Sequence, residues 1–224
     1  MDERVAIFID GSNLYHALKN NFKRQDLNFT EFANKLCGGR RLFRIYYYNV
    51  GQDPAQYPEG YREQQEFIEV LRKTPYLEVR LGGMKKAQGI PVEKGVDIML
   101  ATDLLYFAYG GFYDVAVLVS GDADFAYAMQ AVKNMGKHVE VAYFESGVSK
   151  DLLDVADNRH LLNREFFKDL WASQRRSQRR RVTPRSRGIY QGQPQQQQSQ
   201  TQAQPPQSQS QAQPPQSQSP PYQF

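Results

Sequence analysis

Three short acidic motifs hold the residues of this chain best suited to chemistry. Asp10 closes an apolar run, Val5-Ala6-Ile7-Phe8-Ile9, and is followed at once by Gly11-Ser12-Asn13. A second run, Val115-Ala116-Val117-Leu118-Val119, ends in Ser120-Gly121-Asp122-Ala123-Asp124. Between them, Lys94-Gly95-Val96-Asp97 opens a stretch of helical spacing through Leu100, Leu104 and Ala108. Carboxylates at the ends of buried parallel strands occupy the edge where α/β proteins bind their ligands. Each motif has an ordinary explanation too: Asp-Gly-Ser-Asn is good turn and helix-capping chemistry, and Asp122 and Asp124 suit the first turn of a helix starting near Phe125. Capping does not explain why both strands end in acids, because carboxylates that share a crevice repel unless a cation or a shared proton compensates them. The chemistry indicated is a divalent cation on hard oxygen ligands, hence Mg²⁺ or Mn²⁺ rather than zinc.

Asp97 and Asp103 are six residues apart, about 120° round a helix, so they do not both point squarely into one site. Asp97, in the first turn, is the expected ligand; Asp103 is expected to support from behind or to face solvent. Lys94 beside a helix N-terminus is mildly unfavourable there and hints at an anion nearby. Upstream, Leu81-Gly82-Gly83-Met84-Lys85-Lys86-Ala87-Gln88-Gly89 reads as a flexible basic loop leading into Pro91, either solvated or lying along a nucleic-acid backbone. It has no Walker or dinucleotide glycine pattern. His16, His138 and His160 lack metal-ligand spacing, and Cys37 has no evident base and no partner for a disulfide. Tyr46, Tyr47 and Tyr48 are expected in the core, with stacking of Tyr48 on a base left open.

The elements that must position these residues alternate. Strand-like runs at Val5 to Ile9, Leu42 to Tyr48, Leu77 to Leu81, Val115 to Val119 and Val139 to Phe144 are separated by helical stretches. The first helix has Leu14, Ala17 and Leu18 behind a Ser12 or Asn13 cap, and Phe67, Ile68 and Leu71 mark another. Val96 to Tyr109, Phe125 to Met135 and Ser149 to Ala156 supply three more. Leu161-Leu162 is expected as a brief sixth strand and Phe166, Phe167 and Leu170 as the buried face of a last helix. Such alternation predicts a three-layer α/β/α fold with a central, mostly parallel sheet of five to six strands.

Composition divides the chain into a folded domain over residues 1–172 and a tail over 173–224. The chain is 40 % hydrophobic over 224 residues, but apolar residues almost vanish in the tail, which is expected to be disordered. Seven arginines, Arg175 to Arg187, and no acid follow Trp171, so the formal charge of +4 belongs to the tail; the rest carries 21 basic against 24 acidic residues, net −3. The Arg-rich segment is either a phosphate-backbone arm or a solubilising extension. With no apolar run near the length of a membrane span and acids at the N-terminus, a cytoplasmic protein is the default expectation.

Together the motifs Phe8-Ile9-Asp10-Gly11-Ser12-Asn13-Leu14, Lys94-Gly95-Val96-Asp97 with Asp103, and Ser120-Gly121-Asp122-Ala123-Asp124-Phe125 resemble the NYN domain family. The resemblance is specifically to its LabA-like branch, which belongs to the wider PIN-like nuclease group. The resemblance implies Mg²⁺- or Mn²⁺-dependent cleavage of RNA. Carried over by position, Asp10, Asp97 and Asp122 are the metal-binding carboxylates and Asp124 a fourth acid of the catalytic set, with Asn13 and Ser120 as supporting polar groups. Lys94 is expected on the scissile phosphate, with Lys85 and Lys86 along the strand. The alternative implied by the same branch is a regulatory or RNA- and protein-binding module with little turnover. A phosphatase of the haloacid-dehalogenase type fits less well, since Ser12 stands where its second aspartate belongs. Leu14 likewise breaks an Asp-x-Ser-x-Ser adhesion site. RNA is the expected partner; self-association and protein partners reached through the tail stay open. If the arginines hold phosphate backbone, truncation after Trp171 will weaken RNA binding and flatten its salt dependence while leaving metal binding intact, measured as log Kd against log salt; an unchanged slope assigns the tail to solubility alone.

Overall fold

Strands buried on both faces are written as unbroken apolar runs, and two such runs form the centre of the protein. A computed structural model describes residues 3–87 and 90–173, with residues 84–87 and 90–94 described by their backbone course alone. The elements run β1 (Arg4–Asp10), α1 (Gly11–Phe22), α2 (Phe29–Cys37), β2 (Arg41–Val50), α3 (Pro58–Arg72), β3 (Leu77–Ala87) and β4 (Ile90–Lys94). They continue as α4 (Val96–Tyr109), β5 (Val115–Val119), a single 3₁₀ turn (Ala123–Phe125), α5 (Ala126–Asn134), β6 (His138–Tyr143), α6 (Lys150–Val155) and β7 (Asn158–Leu161). The sheet order is β4-β3-β2-β1-β5-β6-β7, with every pairing parallel except β3 with β4.

β1 lies between β2 and β5, so the winding of the sheet reverses there. Val5, Ile7 and Ile9 face one layer together with Val115, Val117 and Val119, under α1, α2 and α3. Ala6 and Phe8 face the other with Ala116 and Leu118, under α4, α5 and α6. The tyrosine triplet splits as strand alternation requires: Tyr47 joins the first layer, Tyr46 and Tyr48 the second, and all three are buried. Helices on opposite faces on either side of β1 leave a crevice at the carboxyl ends of β1 and β5.

The α/β/α architecture is as the alternation predicts, and three local expectations are corrected. The basic stretch read as a loop is a hairpin arm, in which β3 continues to Ala87 and pairs with β4 from Gly83↔Lys94 to Ala87↔Ile90. Its glycines, lysines and Pro91 mask a strand because they are tolerated at a sheet edge. Helix α2 went unread between strands; its capping residue is Asn28, whose side chain accepts from Glu31 N, and Phe29, Phe32, Ala33, Leu36 and Cys37 give its buried face. The buried Cys37 thiol is pushed up to about 11 by that burial, an unreactive core residue. The last strand is Asn158–Leu161, and the segment after it is a series of turns rather than a helix, although Phe167 and Leu170 are buried as expected. Aromatic packing holds this segment: Phe167 stacks on Phe32, Phe144 and Trp171. Ala172 N and Ser173 N bond to Asp26 and tie the segment after Trp171 to the loop before α2. The predicted tail beyond it lies outside the described residues.

One buried charge ties the two halves of the sheet together. Glu140 on β6 is 5 % exposed and accepts from Arg40 Nη1 at 2.7 Å and Nη2 at 2.9 Å, with His160 Nε2 of β7 at 2.8 Å. Arg40 also donates to the carbonyls of Leu36 and Cys37, so one guanidinium joins the end of α2 to β6. Burial alone would raise the Glu140 carboxyl; the bonds from His160 and Arg40 overrule it and hold it at about 2. A depressed carboxyl contributes stability above its ordinary value of 4.5 and loses it as pH falls towards 2. Glu140→Gln should therefore cost on the order of 2–3 kcal/mol at pH 7 in urea denaturation, with the difference from the wild-type chain closing below pH 4.5.

Candidate active site

Parallel register places Ile9 of β1 opposite Val119 of β5, so the next residues, Asp10 and Ser120, face each other across the crevice. Ser120 Oγ donates to Asp10 Oδ2 at 3.0 Å, and Asp10 Oδ1 accepts from Asn13 N at 3.0 Å. Asp10, not Ser12 or Asn13, is thus the cap of α1. The corresponding acid after β5 does the same work: Asp122 Oδ1 accepts from Asp124 N at 3.0 Å and caps the 3₁₀ turn, while its own N–H donates to Ser120 Oγ. Capping and site chemistry are therefore not competing explanations, since a carboxylate has lone pairs to spare after accepting one backbone N–H.

Two glycines let these strand ends close up. A Cβ on Gly11 would collide with the Tyr47 ring, whose hydroxyl donates to the Gly11 carbonyl at 3.3 Å. A Cβ on Gly121 would meet the Gly147 carbonyl at 2.5 Å, where the loop leading into α6 crosses the end of β5 and Ser149 N bonds to Gly121 O at 2.9 Å.

Four of the sequence-predicted acids share one electrostatic environment. Asp10 is 8 % exposed, and its carboxyl is raised first by burial, against the lowering bonds from Asn13 and Ser120, with the charges of Asp97 and Asp122 raising it further. Asp97, in the first turn of α4 and exposed, is raised by desolvation and then by Asp122 and Asp124. Asp122 and Asp124 are exposed on the opposite lip. Among the described residues, no three His, Cys, Asp or Glu side chains form a ready-made metal cage. The donor set is nonetheless all oxygen and mutually repelling, which fits a hard ion of the Mg²⁺ kind, bound through one or two carboxylates and otherwise by its own waters.

The remaining candidates divide. Asn13 is half-buried beside Asp10, with its backbone N–H on the carboxylate and its side-chain amide unbonded among the described residues. Asp103 does not join the crevice. It accepts from Arg80 Nη1 and from the Tyr48 hydroxyl at 2.8 Å, on the other side of α4 from Asp97. Arg80 lies over the Tyr46 and Phe107 rings at 5.1 and 5.4 Å. Tyr48 is fully buried and bonded, so it cannot stack on a base. Lys85 and Lys86 lie on β3 and Lys94 ends β4, directly before Gly95, the residue preceding α4; the side chains of all three lie outside the described residues.

The chain matches the NYN domain over residues 4–163. It belongs to the NYN domain family. It is 29 % identical over 167 residues to the low amplitude and bright protein LabA of Synechococcus elongatus, covering 71 % of this chain and 84 % of that one. A solved structure from Vibrio parahaemolyticus, of unknown function, superposes with a TM-score of 0.59 at 23 % identity, covering 72 % of this chain and 94 % of that one, and supports the fold. Family membership supports a nuclease-type or RNA-related module. No helix among the described residues is long and apolar enough to cross a membrane.

The raised carboxyls carry a measurable cost. A carboxyl whose folded value lies above its unfolded one takes up a proton on folding, so its charge opposes stability at neutral pH and the penalty fades as pH falls. Asp10→Asn should raise stability by roughly 0.5–2 kcal/mol at pH 7 in thermal or urea denaturation, with the advantage shrinking in acid. Added Mg²⁺ should stabilise the wild-type chain more than this variant.

Proposed function

We propose that this NYN domain is a metal-dependent ribonuclease that hydrolyses RNA phosphodiester bonds at the crevice between β1 and β5. The observation that carries the reading is the Asp10 carboxylate, raised chiefly by its burial at the strand end and further by the charges of Asp97 and Asp122, an arrangement that costs stability and that a cation would relieve. A phosphodiester is itself anionic and repels a hydroxide nucleophile, so the site needs positive charge from outside the acids. Bound there, Mg²⁺ or Mn²⁺ would neutralise the phosphate and acidify a water.

The chain's own residues supply position. Asp10 is held in one orientation by Asn13 N and Ser120 Oγ and would ligate the ion, with Asp97 and Asp122 completing its inner or water-bridged shell. Asp124, two residues further on, is suited to orient the attacking water and take its proton. Lys94 directly precedes the residue at the head of α4 and is assigned to the scissile phosphate, with Lys85 and Lys86 on the hairpin arm following the backbone.

A second reading, a regulatory or RNA-binding module with little turnover, is favoured by the lack of a three-carboxylate cage among the described residues. One assay separates them. With a mixed single-stranded RNA pool, the full-length protein should cleave in Mg²⁺ or Mn²⁺ and not in EDTA, and Asp10→Asn and Asp122→Asn should each lower the rate by at least about 100-fold, a loss of roughly 3 kcal/mol in transition-state stabilisation. Binding without metal-dependent cleavage establishes the second reading instead.

A further inference from the structure

Beside the acidic crevice lies a groove of about 710 Å³ that the proposed hydrolysis does not use. It opens between the first turns of α1, the end of β2 and the start of α3, with Ser12, Tyr15, Asn49, Tyr57 and Phe67 on its walls. Its mouth is at the same sheet edge as the acids: Ser12 is two residues beyond Asp10, and Asn49 follows Tyr48, which pairs with Asp10 in register. The size is that of a small-molecule pocket.

The lining chemistry selects its occupant. Its lining holds no lysine or arginine; His16 is offset by two acids, Glu59 and Glu63, so the lining favours an uncharged group over a phosphate. Three aromatic rings are available. Phe67 is half-buried and held edge-on against Phe29 and Tyr47 at 6.0 and 5.8 Å, a fixed platform. Tyr15 is half-buried, and Tyr57, at the head of α3, is 56 % exposed with no ring neighbour among the described residues. Around them stand carboxamides. Gln64 is spent on structure, donating to Val50 O at 2.7 Å and accepting from Gln52 N at 2.8 Å, which fixes the wall. Gln25, Gln56 and the Ser12 hydroxyl make no side-chain hydrogen bonds among the described residues and are free to pair with a ligand. Lys19 Nζ lies over the Tyr15 ring at 5.8 Å, which leaves Phe67 and Tyr57 as the open faces. Flat apolar faces bordered by amide and hydroxyl groups, with acids rather than lysine or arginine in the lining, match a nucleobase.

From this geometry we infer that the groove takes an unpaired base of the RNA strand, while the sugar–phosphate backbone stays outside and passes the adjacent phosphate to the acids. The inference rests on RNA being the ligand of the crevice. It makes the protein a reader of single strands, because a base in a duplex cannot reach the rings. Glu59, Glu63 and the amide oxygens favour bases with an exocyclic amine over uracil, which has none.

The test measures binding apart from turnover. Full-length protein carrying Asp10→Asn is titrated by fluorescence anisotropy, in Mg²⁺, against a labelled hexaribonucleotide and six versions of it, each abasic at one position. Stacking of one base predicts that one abasic position weakens binding about 5- to 100-fold and the others little. Tyr57→Ala, at an exposed position where folding is not at stake, should weaken the intact oligomer and erase that positional difference, and Tyr57→Phe should restore both. Equal affinity for all six abasic oligomers, or a positional difference that survives Tyr57→Ala, overturns the groove assignment. Cleavage by the wild-type chain is scored separately. A positional base effect without metal-dependent cleavage leaves the groove standing and removes the nuclease, whereas cleavage without a base effect removes the groove alone.

Discussion

The parallel register of β1 against β5 is the constraint on which the rest of this protein depends. Once Ile9 sits opposite Val119, the chain has no freedom over where Asp10 and Ser120 go: they meet at the strand ends and bond across the crevice. The register is strongly specified, because both strands are buried on both faces and a slip of one residue would exchange every side chain between two differently packed layers. Reversal of winding at β1 sends α1 to one face and α4 to the other, so their first turns flank the same opening. An acidic site is thereby assembled from three distant stretches of chain, each acid lying within three residues of a strand end or at the head of a helix.

The site uses its carboxylates twice. Asp10 and Asp122 each satisfy a backbone N–H at the head of a helical turn, and this fixes their orientation at little entropic cost. The same bonds lower the Asp10 carboxyl, while burial and neighbouring acids raise it by more. Elsewhere the fold resolves its charges: Asp103 is neutralised by Arg80, Asp114 by Arg4, and Glu140 by Arg40 and His160. Against that pattern, Asp10 and Asp97 have acids as their charged neighbours among the described residues, a local exception of the kind that concentrates at functional sites.

The parts legible in the sequence are those written as strong local patterns. The central strands announced themselves because burial on both faces demands continuous apolar runs, and the acids did so because they stand directly at the ends of those runs. What escaped was context. The β3–β4 arm carries Gly82, Gly83, Lys85, Lys86 and Pro91, residues that an edge accepts and a central strand would not, so local propensity argued for a loop. Helix α2 carries the apolar spacing and the Asn28 cap of a helix, but strand alternation predicts one helix per crossover and α1 already fills that place. Asp103 was placed only as support or surface, since its partners Tyr48 and Arg80 come from two other strands. The groove was invisible for the same reason: Tyr15, Asn49 and Tyr57 belong to separate elements, and only the fold makes them neighbours.

The bond between Ser120 and Asp10 also orders events in time. It spans 110 residues of sequence. During synthesis the N-terminal half emerges first, with β1, α1 and the walls of the groove, while β5 and the acids that follow it are still unmade. Until β5 docks beside β1, Asp10 has neither its hydroxyl partner nor its opposing lip. The acidic crevice thus comes into being only when most of the domain has been made and folded, and an incomplete chain, still attached to the message that encodes it, carries no finished site.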